Sequence, residues 1–178
     1  MPGFYDLDRI EQVAVNLFYG WGYNFYRVEN QLRADSLLIR SRVSDLLGAA
    51  RRSVSEREAE FRRAMPPLSR EHPRPDPVAI ATASKLEELG REISGLQGLI
   101  AALPVPENDR VTQRLHQEKA TLDRLVAADR MLAGQAELLR QAAEAAPVDQ
   151  LLDGSAGVQQ LLAGLRAIVA ERGALTTA

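Results

Sequence analysis

The sequence predicts an all-α protein, a bundle-like set of helices with no sheet, and three observations carry that expectation. Apolar residues recur at three- and four-residue spacing through most of the 178 residues. Ala and Leu dominate the apolar content, while β-branched and aromatic residues thin out after Arg27, a balance that favours helix over strand. Five of the nine prolines fall between Pro66 and Pro77, so long periodic segments on either side run uninterrupted.

Residues 1–65 read as a long amphipathic N-terminal helix. Asp6 is a natural N-cap, Asp8 puts negative charge in the first turn, and Tyr5 and Ile10 have the spacing of a hydrophobic staple across the cap. Ile10, Ala14, Leu17, Trp21, Val28, Leu32, Ile39, Val43, Leu46 and Ala50 form the apolar stripe. Glu29, Arg33, Arg40, Arg42, Asp45, Arg51 and Arg52 are expected on the solvent face. A single straight rod of this length would extend about 85 Å at 1.5 Å per residue. Gly20 and Gly22 each cost a helix about 1 kcal/mol relative to Ala. The pair therefore marks a kink or a tight contact, in a helix expected to continue but to bend.

Residues 66–77, "PPLSREHPRPDP", lack apolar periodicity and read as an extended, semi-rigid linker. Residues 78–146 read as an antiparallel helical hairpin. Asp76 as N-cap and Pro77 at the first helical position open it. Leu86, Leu89, Ile93, Leu96, Ile100 and Leu103 then keep a heptad seam. "PVPEN" makes the turn, with Asn108 capping a second helix. Its seam of Val111, Leu115, Leu122, Leu125, Leu132, Ala136 and Leu139 is diluted by Glu118 and Asp129. Residues 147–178 hold a loose connector after Pro147 and a last amphipathic helix, with Gly173 as its expected stop.

Composition removes several classes of chemistry. The chain has no cysteine, so disulfides, thiolate metal sites and cysteine nucleophiles are excluded. The net charge of −2 supplies no general attraction to nucleic acid or anionic membrane. The first residues do not read as a signal peptide, and no apolar run approaches a membrane span, so a cytoplasmic location is expected. Bundle metal centres need Glu-x-x-His pairs. His72 lies in the proline linker and His116 beside Glu118 and Lys119, and neither has Glu three residues before it. Ser36, Ser41, Ser53 and Ser55 have no histidine nearby in sequence, and "DGSAG" lacks the Lys and spacing of a phosphate loop. No enzymatic activity, cofactor or metal is expected.

Two polar features remain. Asn24, Gln31 and Asp35 fall on or beside the first stripe, where a buried polar residue would fix helix register. Arg40 to Arg63 carries a modest arginine excess, but Glu29–Arg33 and Glu58–Arg62 are i,i+4 pairs, so nucleic acid is not an expected partner.

The candidate site is the aromatic stretch. Phe18, Tyr19, Trp21, Tyr23, Phe25 and Tyr26 are six of nine aromatic residues in the chain, and Arg27 adjoins them. On a helix these rings cover more than half the circumference, the mark of a segment buried on several sides. They are either the centre of the domain or an interface, and the Leu, Ile and Ala of the later helices provide no aromatic surplus to cover them. Tyr, Trp and Arg dominate interface energetics. Phe18, Tyr19, Trp21, Tyr23, Phe25, Tyr26 and Arg27 are therefore the expected partner-binding residues of a non-enzymatic assembly, adaptor or structural subunit. Its partner would be a second copy or another protein. The alternative is an amphipathic coat on an apolar granule or membrane surface.

Overall fold

A computed structural model describes residues 7–20, 29–67, 70, 74–103 and 115–177, and among these the protein is a helical bundle without strands. The helices are α1 (Leu7–Gly20), α2 (Glu29–Ala64), α3 (Pro77–Ala101), α4 (Leu115–Ala145), α5 (Val148–Asp153) and α6 (Val158–Thr177).

Local chemistry sets most of the ends. Pro66 and Pro67 follow α2 after a single residue, Met65. At the start of α3 the Asp76 side chain accepts from the Val78 N–H at 3.0 Å, with Pro77 in the first turn. Gly154 closes α5 in the left-handed region at φ 86°. The last segment departs from expectation twice. The connector after Pro147 contains the short helix α5, and α6 runs through Gly173 to Thr177 rather than stopping there. Gly173 is a weak stop because the helix around it is anchored by packing, Leu165 and Ile168 before it and Arg172 beside it being buried.

α2 is the organising element. Ile39, Val43, Leu47, Ala50 and Val54 project from it into one apolar cluster. From α3 the cluster takes Leu86, Leu89, Ile93, Leu96 and Ile100, the predicted seam. From α4 it takes Leu132, Ala133, Ala136, Leu139 and Ala143. Burying each large aliphatic side chain contributes about 1.5–3 kcal/mol. Leu151, Val158, Leu162 and Leu165 close the far side.

Ion pairs and hydrogen bonds give the directions. Gln97 donates to the Ser44 carbonyl at 3.1 Å and Arg62 lies 3.6 Å from Glu87, so α3 runs antiparallel to α2. Arg57 donates to the Glu144 carbonyl at 2.7 Å, while Ser36 joins Asp129 through Arg172, so α2 and α4 run parallel. Consequently α3 and α4 are antiparallel, as expected of a hairpin, but α2 lies between them and is the principal partner of both seams. A heptad seam specifies a partner's shape, and α2, the longest helix, offers apolar residues on two sides.

The N-terminal region is similarly refined. Ile10 of α1 rests on Gly134 of α4, and Ser36 of α2 reaches Asp129, five residues earlier on the same helix. A straight helix would hold Ile10 and Ser36 about 39 Å apart. α1 and α2 are thus two helices on one support rather than parts of a straight rod. A close backbone approach occurs at Gly134, while Gly22, the other half of the expected contact, lies outside the described residues. A Cβ there would meet the Ile10 carbonyl oxygen at 2.5 Å, whereas one on Gly20 would meet nothing.

Candidate functional site

Trp21, Tyr23, Phe25, Tyr26 and Arg27 lie outside the described residues, as do Asn24 and His72. Phe18 and Tyr19 are in α1 and Gln31, Asp35 and His116 in α2 and α4, but their side chains also lie outside what is described. The structure does define α2 from Ser36 onward, the part of that helix nearest in sequence to the aromatic stretch whose side chains are described, and what holds it.

That hold is a buried polar junction. Arg172 of α6 is completely buried and donates to Asp129 of α4 at 2.8 Å. A second Arg172 nitrogen donates to the Ser36 hydroxyl, which in turn hydrogen-bonds the Asp129 carboxylate. Three helices are thereby locked at one level by groups that cannot be left unpaired in an apolar interior. Burial pushes the Asp129 carboxyl above the ordinary aspartate range, with Arg172 opposing the shift.

Arg40, one turn further along α2, corrects the sequence reading. It was expected on the solvent face with Arg42, Asp45, Arg51 and Arg52, and those four are exposed, but Arg40 is buried. Its guanidinium donates to the Leu103 carbonyl just beyond α3 and, at 3.4 Å, to the Ser36 carbonyl. The trailing carbonyls of a helix attract a cation, so the C-terminal end of α3 draws Arg40 inward. Desolvation, then repulsion from Arg172, lowers its pKa from the ordinary arginine value. In the sequence Asp129 only dilutes a seam, and nothing local marks Arg172 as its partner. The only sequence-level signal was a charged residue at a seam position without its partner.

The consequence for α2 is geometric. With Ser36, Ile39, Arg40 and Val43 turned inward, the intervening Leu37 and Leu38 face out at 50% and 42% exposure. They form an adjacent pair of large apolar side chains about ten residues beyond the aromatic stretch. Val78, Ile80 and Leu99 of α3 are the other exposed large apolar residues among those described.

A second polar group lies on α4. Arg140 forms a fork to Glu137, with contacts of 2.6 and 2.7 Å, and also binds Glu144 at 2.6 Å. Gln141 adds a 2.9 Å bond to Glu137. Arg140 first, with help from Gln141, holds the Glu137 carboxyl below the usual glutamate range. This is a brace within one helix, with Glu137 buried and Glu144 exposed.

Chemically, the junction positions rather than reacts. The Ser36 hydroxyl is 6% exposed and engaged on both sides by a guanidinium and a carboxylate. Among the described residues no three His, Cys, Asp or Glu side chains are grouped to hold a metal ion. No helix among them is long and apolar enough to cross a membrane. The chain matches no protein-family model. No curated protein and no solved structure is similar to it at a significant level.

Proposed function

We propose that this protein is a non-enzymatic helical assembly or adaptor subunit that works through protein–protein contacts. Its interface is the aromatic stretch of Phe18, Tyr19, Trp21, Tyr23, Phe25, Tyr26 and Arg27, extended along α2 by Leu37 and Leu38. The observation that carries this reading is the outward Leu37–Leu38 pair, held in place by the inward anchors Ser36 and Arg40 on the same helix. Two large apolar side chains on a rigidly supported turn are suited to act as anchors. A further support is that the large buried apolar residues among those described are aliphatic, with Phe61 packed at the edge of their cluster.

Light scattering tests the proposal on the wild type, a Leu37→Ser/Leu38→Ser variant and a Tyr19→Ser/Tyr23→Ser/Tyr26→Ser variant, with helicity measured on each sample. A lower mass at unchanged helicity in both variants is the expected result. A wild type that is monomeric at high concentration and instead co-sediments with apolar granules or liposomes would replace it with a surface-coat function. Unfolding of the tyrosine variant with no mass change in the leucine variant would assign the rings to the core and reject the interface.

A further inference from the structure

Independently of that interface, the outer face of α3 is complementary to its own reverse. Ile80 and Leu99 are exposed large apolar side chains near its two ends, at 44% and 56%. Glu88 and Arg91, both exposed, stand in the middle. The midpoint of Ile80 and Leu99 falls between Leu89 and Gly90, and so does the midpoint of Glu88 and Arg91. Ser84 and Gly95, also exposed, share that midpoint. With 3.6 residues per turn, these six positions fall within an arc of about 100°, on the side of α3 away from its buried seam.

We infer that this face docks a second copy of the chain, whose α3 lies antiparallel to the first across a two-fold axis passing between Leu89 and Gly90. A two-fold interface must be complementary to itself. In this register Ile80 of each copy stands level with Leu99 of the other, and Glu88 stands level with the other copy's Arg91. Two apolar pairs, about 29 Å apart along the helix, thus enclose two ion pairs. A parallel arrangement would instead set Glu88 against Glu88 and Arg91 against Arg91, so charge selects the antiparallel one. Ser84 stands level with Gly95, and such short residues let two helices approach. The neighbouring carboxylates are engaged within the chain: Glu87 lies 3.6 Å from Arg62 of α2, and Glu92 lies 3.5 Å from Arg166 of α6. Arg91 has a loose contact of 3.9 Å with Glu87, and its exposed side chain exchanges that contact for Glu88 of the second copy. Burial of Ile80 and Leu99 supplies affinity, and the charges set orientation.

Sedimentation equilibrium of the full chain over a concentration series, with helicity measured on each sample, tests this inference. Wild type is expected to self-associate reversibly. Glu88→Arg and Arg91→Glu each place like charges across the axis, and each is expected to weaken that association by about ten-fold or more. Leu99→Ser is expected to weaken it as well. Mixed in equal amounts, the two charge-reversed chains present opposite charges to each other at both pairs, and they are expected to regain the wild-type association. All three variants keep the aromatic stretch, Leu37 and Leu38. Association that persists in them but is lost in Leu37→Ser/Leu38→Ser therefore overturns this inference and leaves the other interface standing. A mixture as weak as its components overturns it too, and so does a wild type that stays monomeric.

Discussion

The α2–α3 seam and the α2–α4–α6 junction are built on opposite principles. Along the seam, Val43, Leu47, Leu86, Ile93 and Leu96 exclude water through shape alone, and many aliphatic sequences of similar volume would serve. At the junction, Ser36, Asp129, Arg172 and Arg40 are joined by directional contacts that have few substitutes. The seam thus buries apolar surface, and the junction fixes which turns of three helices stand level. The outward placement of Leu37 and Leu38 depends on that second property.

The comparison breaks most sharply at Asp129. Asp129→Ala leaves Arg172 buried without its carboxylate and is expected to cost about 3–5 kcal/mol in urea unfolding. Replacing the pair together, Asp129→Leu with Arg172→Met, is expected to recover most of that loss, since an ion pair in an apolar site gains little over well-packed hydrophobic residues. A double variant as unstable as Asp129→Ala would show that Ser36 and Arg40 also need the charges.

A glycine pair sharpens the contrast between crowded and open packing. Gly134→Ala drives a methyl into the Ile10 carbonyl and is expected to destabilise by about 1–3 kcal/mol, in spite of alanine's better helix propensity. Gly95→Ala, in α3 with nothing within 4 Å of the new Cβ, is expected to stabilise by up to about 1 kcal/mol. Thermal unfolding of the two variants should shift in opposite directions. A shared direction would remove the close approach of α1 to α4.

The smallest effect is the pH dependence of the α4 brace. The folded state holds Glu137 ionised below the usual glutamate range, so its contribution is fully present above the unfolded value of about 4.3 and is lost as pH falls through the lower folded value. The stability gap between wild type and Glu137→Gln should therefore be open at pH 7 and close toward pH 3. A gap independent of pH would assign the loss to packing.

Much of the fold was legible because its signals are local. The prolines at 66 and 67, the Asp76–Pro77 start of α3 and the Leu86–Ile100 seam each act within a turn or two, and all three appear where the sequence put them. Gly173 does not stop α6 because a stop residue only weakens a helix, and the packing of Leu165, Ile168 and Arg172 ahead of it outweighs that loss. The expected aromatic site lies outside the described residues, so its role rests on the helices that flank it.

By itself, then, the sequence determined the helical class, the proline break and the faces of each helix that would be apolar. Periodicity states those properties, since it compares residues three and four apart. Only the tertiary structure decided that α2 would lie between α3 and α4, that Arg40 would turn inward, and that Ile80 and Leu99 would be left exposed on α3. The junction shows the reason. Arg172 meets Asp129 across 43 residues of chain and Ser36 across 136, and no pattern within one helix records which distant charge will arrive at its level.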